Sequence, residues 1–211
     1  MAVFQIPPRR GAVARTNARG EKSRLVIVDA LLALVSEGDL RPTVPRVADR
    51  ARLSLRSVFH HFSDVDALLG AALDRQQERC AGLPRGVPLE IALPARVERF
   101  VRQRARVCEE MMPVLRALLQ HEPHSPKLAE RLRALHRVEH DETLASFVDA
   151  IEQAPDRAML EAVLTTATSS FTWHTLRLHQ GLAPEAARRA MQRLALAQLC
   201  FTGGEAFAQT G

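Results

Sequence analysis

Residues 43–62, TVPRVADRARLSLRSVFHHF, read as two short helices joined by a tight turn. Thr43 is a hydroxyl residue placed to accept from the free N–H groups of a helix start. Pro45 falls in the first turn, where its missing N–H costs least, and Val44, Val47, Ala48 and Ala51 recur at helical spacing. Leu53 fills the turn from inside and Ser54 opens the second helix. On a helical wheel Val58 points inward, Arg56 and His60 point away from it, and Ser57 and Phe59 flank them. A polar, basic and aromatic face of this kind suits a DNA major groove. Upstream, Ile27, Ala30, Leu31 and Leu34 give residues 21–37 an apolar stripe of their own, so three helices share one small core. The stretch is a helix-turn-helix.

With 46% apolar residues, no Tyr and only 4% aromatic side chains, the 211-residue chain is built mostly from good helix formers. It predicts an all-α fold of about nine helices, and no strand is read. The formal charge of +5 is unevenly placed. Residues 1–62 carry 11 Lys and Arg against 5 Asp and Glu, whereas residues 63–211 carry 18 against 19. The basic excess therefore sits wholly on the helix-turn-helix part, as phosphate binding requires, although a solvated basic face has the same composition. Cys80, Cys108 and Cys200 are scattered without metal-ligand spacing and read as buried or partly buried thiols. The N-terminus lacks a secretory apolar run, and Leu25 to Val35 is interrupted by Asp29, so a cytoplasmic protein with no membrane partner is expected.

Three regions are predicted: a disordered basic arm over 1–20, the helix-turn-helix domain over 21–70, and a larger helical domain over 71–211. The arm holds Arg9, Arg10, Arg15 and Arg19, which fit minor-groove or phosphate contact or an untidy terminus equally well. Ser63 is positioned to cap a helix running to about Cys80. After a Gly- and Pro-rich loop, helices are expected over residues 94–107 and 109–120, with Pro113 as a kink or break. Three more follow, over 125–153, 156–179 and 184–201.

The larger domain has the composition of a small-molecule pocket in a helical bundle. Phe100, Cys108, Met111, Met112, Leu115, Phe147 and Trp173 supply apolar and sulfur contact, while His136, His140, Thr166 and Ser170 supply sparse polar groups. Most of these residues would serve simply as core, and a small molecule held among them would be largely apolar. His136, Glu139 and His140 also spell the inverted zinc-protease pattern, but no third ligand or strand accompanies it. No enzyme, no cofactor and no bound metal are expected; a metal-responsive regulator using His136 and His140 is the alternative. Glu109 and Glu110 fit either a cationic ligand or a solvated helix end. On the last two helices Met159, Leu160, Val163, Leu164, Ala167 and Phe171, with Ala187, Ala190, Met191, Leu194, Ala197 and Phe201, exceed what one buried face needs. That excess suits a partner surface, or a monomer burying both faces.

These features together resemble the tetracycline-repressor-type (TetR) family of transcriptional regulators. Its first helix is similar to RLVIVDALLALVSEGD with Gly38 as stop, and its second opens on a Thr and carries an apolar-Ala pair, here Val47 and Ala48. Its Ala-Gly-Val-Ser turn and Leu-Tyr-x-His-Phe run are matched by Ala51, Leu53, Ser54, Val58, Phe59, His61 and Phe62. WHTLRLHQGLAPEAA at residues 173–187 resembles a further pattern of the family. The chain departs from it at Arg52, where a Gly is usual, at Phe59, which lacks the Tyr hydroxyl, and at Val65, which replaces a frequent Lys. The resemblance implies a homodimer joined through its last helices, a small-molecule effector and a palindromic double-stranded operator, with repression relieved by the effector. The residues placed to meet DNA are Arg24, Thr43, Arg46, Arg52, Ser54, Leu55, Arg56, Ser57, Phe59, His60 and His61. The rival of another class is a helical module that binds a protein partner.

Overall fold

A computed structural model of the protein describes residues 10–201. All regular structure among them is helical: α1 Arg10–Ser36, α2 Val44–Ala51, α3 Leu55–His61, α4 Val65–Cys80, α5 Leu93–His121, α6 Pro126–Glu152, α7 Arg157–Ala167, α8 Ser170–His174 and α9 Pro184–Phe201. A 3₁₀ turn at Glu122–His124 precedes α6, and a π turn at Thr175–His179 prolongs α8. None of these helices is long and apolar enough to cross a membrane. The backbone of α1 is already helical from Arg10, inside the stretch read as an irregular arm, and residues 1–9 lie outside the described ones.

Two apolar cores organise the helices. The first joins Ile27, Leu31, Val47, Val58, Leu68 and Leu69 of α1–α4 to Met111, Leu115 and Leu118 of α5 and to Leu128 and Leu132 of α6. The second gathers Val97, Phe100, Cys108 and Met112 of α5 with Phe147, Leu160, Leu164, Trp173 and Met191. The residue-70 boundary read from the sequence falls inside α4, and the first core continues past it.

Four local readings are corrected. The helix after the helix-turn-helix is capped by Asp64, whose carboxylate accepts from the Ala67 amide at 2.7 Å; Ser63 donates to that carboxylate instead. Two predicted helices are one, α5, running through Pro113. A proline inside a helix leaves a carbonyl one turn earlier without its donor. Here burial of Met111, Met112, Val114 and Leu115 on both sides holds the helix together, and Gln76 of α4 donates to the neighbouring Glu110 carbonyl at 2.8 Å.

Residues 125–152 do form one helix by hydrogen bonding, but Phe147 departs from helical geometry at φ −134°, ψ 21°. Just before it, the hydroxyls of Thr143 and Ser146 each donate 2.8 Å back to the carbonyl four residues earlier, a pattern that bends helices. The expected 156–179 helix is split. Thr166 and Thr168 likewise bond back to Ala162 and Leu164, and Ser169 caps a new helix by accepting from Thr172.

A polar tie holds α8 to α5. Glu109 accepts from the Trp173 indole at 2.9 Å and from Arg177 at 2.9 and 3.2 Å. Hydrogen bonds from Arg177, and then from Trp173, keep its carboxyl below the ordinary 4.5 in spite of partial burial. Glu109 is thus a structural anchor and neither a free ligand group nor a solvated end.

The kink places Phe147 at the centre of the second core, edge-on to Phe100 at 5.2 Å between ring centroids. Phe147→Ala should cost about 3–5 kcal/mol. The urea midpoint is expected to fall accordingly with the slope unchanged, and a loss under about 1 kcal/mol would mean the site collapses without a cavity.

Candidate nucleic-acid interface and central cavity

The turn between α2 and α3 is set by Arg52, the one non-Gly residue with positive φ among the described residues, at φ 54°, ψ 43°. Its N–H donates to Asp49 O and the N–H of Leu53 to Ala48 O, closing α2 as a glycine would. Ser54 then caps α3, its hydroxyl accepting from the Ser57 amide at 3.2 Å. Thr43 occupies the start of α2 but makes no side-chain cap bond, so the capping expected of it is absent and its exposed hydroxyl is free to meet another molecule.

Val58 and Phe62 anchor α3 in the core, and the opposite face stands in solvent. Leu55 is 44% exposed and Phe59 54%, one turn apart, with Arg56 and His60 exposed beside them. The side chains of Arg52 and Arg56 form no hydrogen bond or ion pair among the described residues. Arg46 is exposed but paired with Asp39 at 2.8 Å. Ser57 is half-buried and engaged through its amide.

Arg24 and His61 are placed differently from expectation. The Arg24 guanidinium lies 4.5 Å from the Phe62 ring centroid and donates to His61 O at 3.5 Å, so it fastens α1 to the end of α3. That role was readable: Arg24 lies three residues before Ile27, on the same helical face. Burial, followed by repulsion from His60 and Arg24, pushes the half-buried His61 below its ordinary 6.5.

The eleven residues expected to line one ligand pocket do not converge. Met111 and Leu115 pack in the first core, and Phe100, Cys108, Met112, Phe147 and Trp173 in the second. His136, His140 and Thr166 border an open cleft of about 320 Å³, where His136 meets the Phe171 ring edge-on at 4.5 Å. Ser170 is buried and donates from both its amide and its hydroxyl to Glu139 Oε2, at 3.2 and 3.1 Å. The separation follows from α5, whose Met111 and Met112 point to opposite cores. No group of three His, Cys, Asp or Glu among the described residues is arranged to hold a metal ion.

What lies between α4, α5, α6 and α8 is a small central cavity of about 20 Å³. Cys108, Met111 and Ser170 reach it, and burial pushes the Cys108 thiol far above its ordinary value. Its other walls include Arg85, Arg104, Glu139 and Glu142, charged residues that composition did not single out. The only sequence signal was periodic: Arg104 lies four residues after Phe100 and four before Cys108, on the buried stripe of α5.

Arg52 sits in a conformation that costs a side-chain residue about 1–2 kcal/mol. Arg52→Gly should therefore raise stability by about 1 kcal/mol, and the melting temperature by about 2–4 °C, while removing a positive charge beside α3. A lower melting temperature would show that the arginine side chain stabilises the turn.

No protein-family model matches the chain, and no curated protein matches it. Solved structures do. A transcriptional regulator from Rhodococcus sp. Rha1 aligns at TM-score 0.64 with 22% identity, over 87% of this chain and 99% of that one. A TetR-family transcriptional regulator from Streptomyces coelicolor aligns at 0.64 with 21% identity, over 84% and 79%. A TetR transcription regulator from Haloarcula marismortui aligns at 0.64 with 18% identity, over 86% and 98%. The chain has the fold of the TetR-family transcriptional regulators.

Proposed function

We propose that the protein is a homodimeric transcriptional repressor that binds an inverted-repeat operator and leaves it when a small effector binds the larger helical part. The observation that carries this reading is the outward face of α3. Leu55, Arg56, Phe59 and His60 stand exposed on the second helix of a helix-turn-helix, and the basic excess of the chain lies in the same 62 residues. Two large apolar side chains one turn apart beside an arginine with an unpaired side chain make a contiguous face that suits a partner. Arg56 suits a guanine edge, while Leu55 and Phe59 suit thymine methyl groups. Phe59 has no hydroxyl for a phosphate, so Thr43, Arg52 and the arm arginines are assigned that role in our scheme.

Dimerisation is assigned to α7 and α9, which pack on each other. Of the apolar residues singled out there, Leu160, Leu164, Ala167, Ala187 and Met191 face their own chain, whereas Met159 and Leu194 remain exposed beside small residues such as Ala162 and Ala190. A pairing of α7 and α9 with their copies would cover Met159 and Leu194 and set the two α3 helices about 34–36 Å apart. The side chain of Phe201 lies outside the described residues.

Selection from a random duplex library tests the reading. An imperfect inverted repeat is expected, with affinity falling about 10³–10⁵-fold between 50 and 200 mM salt. Arg56→Ala should reduce discrimination at one base pair by about 1–3 kcal/mol, and deoxyuridine in place of thymine should weaken binding where Phe59 or Leu55 touches. Recovery of no preferred sequence would overturn the proposal.

Leu194→Glu should give monomers by sedimentation equilibrium and lose operator binding with α3 untouched, because a lone charge in an apolar interface is costly. A variant that stays dimeric would move the interface elsewhere.

A further inference from the structure

In the central cavity two guanidinium groups converge on one carboxylate. Arg104, on α5, has a side chain only 4% exposed. Its Nη2 donates to Glu139 O at 3.1 Å and lies 3.2 Å from Glu142 Oε2, and its guanidinium carbon is 5.1 Å from the Phe100 ring centroid. Arg85, in the loop between α4 and α5, donates to the other oxygen of Glu142 at 3.1 Å. An arginine keeps its proton throughout the physiological range, and a buried charge without a partner is costly, so Arg104 needs an anion beside it.

Glu142 is the member of this cluster that can leave. Its side chain is 23% exposed on α6 and can turn to water, whereas Arg104 is held by a ring, a carbonyl and a carboxylate. Beyond the charges, Gln77, Ser170 and Cys108 share the wall with an apolar strip formed by Val107, Met111, Leu135 and the exposed Val138. The cavity of about 20 Å³ has room for one water. A typical ligand fills about 300 Å³ or more. Entry therefore requires a resident group to be replaced.

We propose that this cavity binds an amphipathic carboxylate, its carboxylate taking the place of Glu142 on Arg104 and Arg85 and its apolar part lying along Val107, Met111, Leu135 and Val138. A ligand carboxylate reproduces the planar acceptor that both guanidiniums already hold. A cation would have to displace Arg104, which is fixed on three sides, and a neutral molecule would leave Glu142 in its way. The displacement also frees Arg85 from α6 and so releases the loop that follows α4. Only the consequence for DNA rests on the regulatory function proposed above; the binding chemistry does not.

Calorimetric titration of the full chain with decanoate and 4-phenylbutyrate, against decanol and decylamine, tests the site. At least one carboxylate should bind saturably, with decanol and decylamine weaker by about tenfold or more. Glu142→Gln removes the resident competitor and should strengthen carboxylate binding by about tenfold. Arg85→Ala and Arg104→Met should weaken it by a similar factor. Arg85 is in a surface loop, so its variant keeps the test decisive if Arg104→Met fails to fold. Equal binding of decylamine, no binding of either carboxylate, or weaker binding in Glu142→Gln would overturn the assignment. Repeating the titration with the selected operator separates the two proposals. Carboxylate binding without any duplex binding leaves this site standing and removes the regulatory reading; operator binding without carboxylate binding removes this site alone.

Discussion

One helix carries both cores. Along the 29 residues of α5, Phe100, Cys108 and Met112 pack with the last helices, while Met111, Leu115 and Leu118 pack with the helix-turn-helix unit. The two sets overlap in the middle, so neither core can shift without the other feeling it through a rigid rod. Pro113 lies in that overlap and removes one hydrogen bond from the rod. The bond from buried Gln76 to Glu110 O, at 2.8 Å, then ties α4 to α5 beside the gap. The turn of α5 that lacks this bond is thus the place where the helix leading to the helix-turn-helix unit is fastened to it.

The parts legible in the sequence were those that local physics decides. Val47, Ala48 and Val58 announced the small core by spacing alone and Ser54 announced its cap, whereas Phe62 in that core and Gly38, at a φ of 96° after α1, came with the family resemblance. Pro113 misled because proline propensity is a local cost, and a helix buried along both sides outweighs it. The 156–179 segment misled in the opposite direction. Its apolar period runs on unbroken, yet the hydroxyl run from Thr165 to Ser170 offers the backbone nearby alternatives and breaks the helix.

The candidate ligand residues were chosen by residue type, and type does not reveal which way a side chain points. Neighbours such as Met111 and Met112 differ by about 100° around the helix and enter different cores. The charged lining was missed for a related reason. Arg104 and Glu142 are ordinary surface types until two helices bring them together, and a pairing of α5 with α6 leaves no local mark in either segment. Periodicity alone placed Arg104 on a buried face, where an arginine demands an anion and hence a partner from another helix.

The tie between α4 and α6 gives that buried pair its mechanical meaning. Asp74 of α4 pairs with Arg131 of α6, and Gly70 lies so close to Arg131 that an added Cβ would be 3.1 Å from its Nε. Past the end of α4, Arg85 reaches Glu142, further along α6. Two ion pairs therefore fasten α4 and its loop to one helix, and Asp64, two residues beyond Phe62, the C-cap of α3, caps the other end of α4. Between those two ends Leu68, Leu69 and Ala72 bury the inward face of α4. The outer pair, Asp74–Arg131, is half exposed and weak in water; the inner one shares its carboxylate with a buried arginine. Of the two fastenings, the one inside the cavity is the one whose loss would leave a buried arginine short of its anion.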